Sequence, residues 1–375
     1  GSGGPGNQEV PGNGGSGGGI YSSSGSVSLV RTAVLGNHAG SAGPDETGDG
    51  PANAGNGGGV WSKAKLVVIG SAISTNTGGT GGTGSSGGGV FTSGHATISR
   101  STLFGNTAGM GYLGAPGNGG AIANRGTILL SNSKLSKNAA GAGAVQSGEP
   151  GGNGGGLYST GSATLIGDTL SLNASGDGGS APYVDPGGAF GGPGGNGAGI
   201  YSTAILHVTN STIASNHTGQ GGANTQPHIG SAGPGVGGGL GTAGGTATLS
   251  YVTIANNSDG ITNLGGTVTV GGTIVAGSAG PNCTGAISEN TGFNLDSGST
   301  CQFTIATDIS GTDPMLGALA ANGGPTKTQA LLSDSPAIDH GGTGAAGCPA
   351  TDQRRHIRPD ESADSGACDV GSYES

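Results

Sequence analysis

The spacing of seven asparagines constrains this chain more than anything else in it. Asn37, Asn76, Asn106, Asn138, Asn173, Asn216 and Asn257 follow one another at 39, 30, 32, 35, 43 and 41 residues. A Gly-rich stretch follows each of the first six, over 38–56, 77–86, 107–118, 139–153, 174–196 and 217–236. With those stretches removed, the intervals become 20, 20, 20, 20, 20 and 21 residues. A constant unit with insertions at one point is the signature of a solenoid, whose turns pack only on their neighbours.

Without that period the composition would describe a low-complexity chain, with 91 Gly and 17 Pro among 375 residues and only 9% charged. Gly costs about 1 kcal/mol per residue in a helix interior, and no amphipathic helical stripe is visible. This argues against a helical bundle and against an ordinary α/β enzyme. No apolar run approaches the roughly 18 residues of a membrane span. Eleven basic against 21 acidic residues give a net charge of −10, which argues against nucleic acid as a partner.

Three apolar positions recur in each unit. The first runs Ile20, Val60, Val90, Ile122, Leu157, Ile200, Leu240 and Ile261; the second Leu29, Val68, Ile98, Leu130, Leu165, Val208 and Leu249. The third runs Val34, Ile73, Leu103, Leu135, Leu170, Ile213, Ile254 and Ile274. Short β-branched and Ser/Thr-rich segments around each position read as strands. Three strands per 20-residue coil predict an all-β, right-handed parallel β-helix over residues 1–277, with eight coils stacked into a rod roughly 38 Å long.

The Asn after the third strand is expected to form an internal ladder, tolerating a left-handed corner and bonding amide to amide. A metal-binding or catalytic role is disfavoured because every coil carries it. Directly after the first aliphatic comes a second ladder, Tyr21, Trp61, Phe91, Tyr158 and Tyr201, broken by Ala123 and Gly241. Strand alternation points it outward, either beneath the Gly-rich loops or as a contact stripe for sugar rings or another subunit.

Ordering a Gly-rich loop is entropically costly, so the loops must be mobile or packed on one another. Gly recurs every third residue at Gly12, Gly15 and Gly18; Gly78, Gly81 and Gly84; Gly111, Gly114 and Gly117; and Gly188, Gly191 and Gly194. That is the period of polyproline II, and it predicts a second layer of extended loops beside the β-helix.

From residue 278 to 375 the composition changes. Twelve of the 21 carboxylates lie there, with all four cysteines, Cys283, Cys301, Cys348 and Cys368. An even number confined to one segment predicts disulfides and an oxidising, extracytoplasmic location. Three pairings are possible, of which sequential pairing closes the shorter loops. No CxxC or His spacing suggests zinc, and no cofactor is implied.

The runs Asp313-Pro-Met-Leu-Gly through Gly323-Gly-Pro-Thr326, Ser335-Pro-Ala-Ile-Asp339, Cys348-Pro-Ala-Thr-Asp-Gln-Arg354 and Cys368-Asp-Val-Gly371 occur in that order. This segment, roughly 280–374, resembles the choice-of-anchor Q domain of bacterial surface proteins. Gly119-Gly-Ala-Ile122 and the aliphatic-x-x-Asn corners resemble, more loosely, the repeats of polymorphic outer-membrane proteins. The resemblance implies a secreted or surface β-helix and no catalytic activity. Neither a sorting motif nor a signal peptide is visible, which suggests a processed or trimmed chain.

A β-helix exposes open strand edges at its two ends, and an unclosed head-to-tail contact makes a filament. The leading expectation is therefore an extracellular structural protein that assembles with itself into a fibre or sheath. A surface adhesin or glycan-binding protein is the alternative. Polysaccharide lyases share such folds but need carboxylates stacked on adjacent coils. Here Asp168 stands alone at a Ser/Thr position, while Asp45, Glu46 and Asp49, and Asp177 and Asp185, are loop charges. Arg31 and Arg100 share one slot with Gly70 between them, and His38, His217 and His228 lie in loops without visible partners.

Overall fold

A computed structural model describes residues 1–4, 12–43, 52–112, 114–145, 148–181, 190–224, 231–343, 347–359 and 366–375. Among them the secondary structure is all β, with no helical element. Two parallel sheets, of 16 and 10 strands, wrap into a nearly closed solenoid. Each coil has a short first strand, a longer second strand and a short third strand. In the first coil these are Ile20–Ser22, Ser26–Val30 and Ala33–Leu35.

Neighbouring coils pair residue for residue. Ile20 opposes Val60, Leu29 opposes Val68 and Val34 opposes Ile73. The aliphatic ladders fill a single core in which Ile98, Leu130, Leu165 and Leu170 are fully buried. Each such side chain contributes about 1.5–3 kcal/mol of burial. The second strand points two residues inward, so Leu66, Ala96, Ile128 and Leu206 form a further buried ladder.

At the eighth coil the third ladder is held by Val275, which opposes Ile254, and not by Ile274. Ile274 opposes Thr253 and points outward, yet it is buried against Leu331, Ala337 and Val370 of the C-terminal segment. A second apolar surface thus claims the larger side chain, a pairing that periodicity along one strand does not reveal.

Residues beyond 277 do two things. First, Cys283–Thr284, Glu289–Asn290 and Leu295–Asp296 add a ninth coil, and Ile309–Ser310 extends the third-strand sheet once more. The chain then forms an antiparallel hairpin, Leu316–Ala320 with Thr328–Leu331, and turns back along the side of the solenoid. Thr326 and Gln353 reach the fifth coil, Thr351 the sixth, Gly347 the seventh and Gly371 the eighth.

The Gly-rich loops leave one edge of each coil and hydrogen-bond to one another. One unbroken series of backbone N–H···O bonds runs Gly195, Gly176, Gly152, Gly141, Gly117, Gly109, Ser85 and Gly79, each donating to the next. Three residues away, Ala232, Gly222, Gly192, Gly179 and Glu149 form a parallel series. Side chains are excluded by the close approach. A Cβ on Gly109, Gly176, Gly219 or Gly235 would lie 1.7 to 1.8 Å from a carbonyl oxygen of another loop. Gly188 and the acidic loop residues Asp45, Glu46, Asp49 and Asp185 lie outside the described residues, as does His228.

Candidate functional site

The asparagine ladder runs through the interior. Asn106 donates from its side-chain nitrogen to Asn138 Oδ1 and to the Ile73 carbonyl, both at 2.9 Å, and from its backbone to Asn138 Oδ1 at 3.0 Å. It accepts two bonds from Asn76 in return. Identical bonding links Asn37 through Asn257. Only an amide of this length offers donor and acceptor at once; stacked carboxylates would repel one another. The left-handed residue is the one before each Asn: Gly36, Thr75, Gly105, Lys137, Leu172, Ser215 and Asn256. The expectation that the Asn itself adopts that conformation is corrected. Its side chain must face inward to reach both neighbours, so the preceding residue makes the turn.

A second polar ladder was missed in the sequence. Ser16, Asn56, Ser86, Asn118, Asn153 and Asn196 sit four residues before each first-strand aliphatic, and their side-chain oxygens accept from successive backbone N–H groups. The signal was present but mixed Ser with Asn, amid dense Gly. A left-handed Gly follows each of these positions, at Gly17, Gly57, Gly87, Gly119, Gly154 and Gly197.

Rings of the aromatic ladder lie nearly parallel. Centroids are 4.6 Å apart for Tyr21 and Trp61, 6.2 Å for Trp61 and Phe91, and 5.8 Å for Tyr158 and Tyr201. At the break made by Ala123, the Arg125 guanidinium lies over Phe91. Exposure falls from 58% at Tyr21 to 5% at Phe91. Burial raises the Tyr158 phenol above its ordinary pKa, with Arg125 opposing the shift, and burial raises Tyr201 as well. Because the rings stack face to face, the stripe offers mainly edges to solvent. A sugar ring packs on an aromatic face, and most of these faces are occupied.

Asp168 occupies the corner between second and third strands that Ser71, Ser101, Ser133 and Ser211 fill in other coils. It is fully buried and accepts N–H bonds from Ser133 and Ile166. Burial pushes its pKa up to about 8, against the lowering effect of those two bonds. No described carboxylate stacks on it. Asp177 is exposed and accepts the Gln220 N–H, and His38 and His217 are exposed loop residues. Arg31 and Arg100 both project from left-handed corners. Among the described residues, no three His, Cys, Asp or Glu side chains come together to hold a metal.

The C-terminal segment is fixed by a buried polar cluster. Gln353 donates to Thr169 Oγ1 and Thr326 Oγ1 at 3.1 and 2.9 Å, and Thr212 Oγ1 donates to its Oε1 at 2.7 Å. Beside it Asp352 pairs with Arg354, whose guanidinium covers Tyr373, and Glu374 pairs with Arg358 over Tyr251. Burial lowers the Arg358 pKa, with Glu374 opposing the shift. Disulfides join Cys283 to Cys301 within the ninth coil and Cys348 to Cys368 against Tyr251. Two disulfides point to an oxidising, non-cytoplasmic compartment. No helix among the described residues is long and apolar enough to cross a membrane.

No family model matches the chain. No curated protein and no solved structure matches it either.

Proposed function

We propose that this is a non-catalytic, extracellular structural protein of a bacterial surface, which assembles head to tail into a filament or sheath. Its solenoid is read as a right-handed parallel β-helix, flanked by a layer of polyproline-II-like loops whose hydrogen bonds repeat every third residue. The motif order of the C-terminal segment, which resembles the choice-of-anchor Q domain, agrees with a surface placement.

One observation carries the reading: the outer edge of the first described coil has hydrogen-bonding capacity open to a stacked coil. No described residue donates to Asn37 Oδ1, although every following ladder oxygen from Asn76 to Asn257 accepts two bonds. Gly19, Ile20, Thr32, Val34 and Leu35 line an open cavity at that edge, of about 330 Å3. Tyr21 is 58% exposed there. At the opposite end Cys283, Ile287, Phe303 and Ile305 line a cavity of about 530 Å3. A second copy stacked in the same parallel sense continues the backbone pairing and buries both apolar ends.

Electron microscopy of the purified protein in neutral buffer tests this. The expected result is filaments with an axial repeat of roughly 45 Å, the span of nine to ten coils at β spacing. Isolated short rods would overturn it.

Glycan binding is the second reading, favoured by the exposed ring of Tyr21 and the half-exposed Tyr158 and Tyr201. Loss of glycan binding in Tyr158→Ala and Tyr201→Ala variants would support it; unchanged binding, or none in the parent, would remove it.

A further inference from the structure

The C-terminal segment covers only half of the face it lies on. In the fifth to eighth coils every residue of the third strand is buried, from Thr169–Ser171 to Ile274–Ala276. In the first four coils the same outward positions are open: Ala33 and Leu35 are exposed, Ala72 and Ser74 half-exposed, and Phe104 is 39% exposed. The two halves match position for position. Corner residues Gly167, Asn210, Tyr251 and Gly272 each touch the C-terminal segment. Their counterparts Arg31, Gly70, Arg100 and Asn132 make no hydrogen bond to it among the described residues.

Charge divides along the same line. Residues 12–145 contain seven Lys and Arg against three carboxylates, Asp45, Glu46 and Asp49. Four of these cations, Arg31, Arg100, Lys134 and Lys137, border the bare face, and Lys137 lies over the Phe104 ring there. Residues 278–375 hold 12 carboxylates against four cations, two of which, Arg354 and Arg358, are buried in ion pairs. Asp313 and Asp334 are exposed where the chain leaves the last third strand, held together by the bond from Ser335 Oγ to the Pro314 carbonyl. One side of the rod is therefore basic and bare at its first coils, acidic and ridged at its last.

We propose that the bare third-strand face of the first four coils is a docking surface for the acidic C-terminal segment, residues 312–340, of a second copy of this chain. This rests on the self-association proposed above and names the contact that orients it. Edge stacking alone satisfies backbone groups without choosing an angle about the axis. Unlike charge on one side selects the arrangement in which the acidic foot of one copy meets the basic face of the next. Within the chain, Thr326, Leu331 and Ala337 of this segment already pack on the same face, at the fifth and eighth coils.

A charge-swap experiment on the full chain tests the proposal. One variant carries R31E, R100E, K134E and K137E; the other carries D313K and D334K. Five of the six residues are exposed and Lys134 is partly so, and circular dichroism checks folding. Each variant alone is expected to need a protein concentration on the order of tenfold higher to assemble, as exposed ion pairs allow. An equal mixture is expected to assemble at the parent concentration, since each supplies the partner the other lacks. A folding defect gives no such rescue. If both variants form parent-like filaments alone, the docking surface is wrong while self-assembly stands. If the parent stays monomeric, both readings fail. If the first variant assembles normally but loses binding to polygalacturonate that the parent shows, the face belongs to a polyanion and the proposal is overturned.

Discussion

The guanidinium carbon of Arg125 lies 5.2 Å from the ring centroid of Phe91, in the gap that Ala123 leaves in the aromatic stack. It also opposes the burial that raises the Tyr158 pKa, so one cation bridges the two groups of rings. Arg125→Ala is expected to cost about 0.5–1 kcal/mol, the range of a partly exposed cation–π contact. The Tyr158 phenol should then titrate at higher pH, because the opposing charge is gone. Ultraviolet titration near the phenolate band checks this; an unmoved or lowered Tyr158 pKa would show that Arg125 does not act on it.

Asn138 stands mid-ladder with six hydrogen bonds, five of them within the ladder or to the Leu103 carbonyl and one from Ala174 N–H. Asn138→Ala strands buried partners on both neighbouring asparagines, each costing about 1–3 kcal/mol. Asn138→Asp keeps the acceptor but loses the donors and adds a buried charge, so it should be at least as damaging. Urea unfolding measures both. A loss below about 0.5 kcal/mol, the scale of ordinary surface changes, would strip the ladder of its energetic role.

Asp168 gives stability a specific pH dependence. Its folded pKa is about 8, above the unfolded carboxyl value near 3.9. The folded state therefore holds its proton longer than the unfolded chain. This contribution is full below about pH 4 and is lost as pH rises towards 8. Asp168→Asn, neutral throughout, should remove that part of the slope, although its NH2 then faces one of the two backbone N–H donors. Parallel pH profiles of the melting temperature for parent and variant would refute the assignment.

Loop packing is tested by paired glycine substitutions. Gly176→Ala drives a Cβ to 1.8 Å from the Gly141 carbonyl oxygen, whereas Gly233→Ala meets nothing within 4 Å. The first should loosen the loops, read as faster hydrogen exchange and proteolysis over 139–153 and 174–196. The second should change neither. Equal effects would mean that the loops are not held by close backbone approach.

Gln353 anchors the C-terminal segment to the fifth and sixth coils. Gln353→Ala leaves several buried hydroxyls short of partners, with a cost of about 1–3 kcal/mol. Hydrogen exchange should rise first over 347–375 and the third strands of those coils, while Leu103 and Leu135 stay protected. Uniform exchange across the chain would instead make the segment part of one cooperative unit.

Much of the architecture was legible because repetition makes local and global order coincide. Leu130 falls in its ladder wherever the neighbouring coils fall in theirs, so a single period yields strand, register and core. The aromatic slot was equally visible, but its chemistry was not. That Phe91 is buried and Arg125 fills the gap at Ala123 depends on how side chains lie across coils, not on spacing. The Ser16-to-Asn196 ladder escaped because its signal is a shared oxygen acceptor on unlike residues, masked by Gly.

The 20-residue unit was enough to establish parallel coils, an inward aliphatic core and a stacked Asn row. Each of these needs only the next copy of the same short pattern at β spacing. The path of residues 312–375 was decided by tertiary contact alone. No repeat marks Gln353 as the partner of Thr169 and Thr212, or Ile274 as the outward member of its strand. Gln353 meets Thr169 and Thr212 across 184 and 141 residues of sequence, through surfaces that exist only once the coils have stacked.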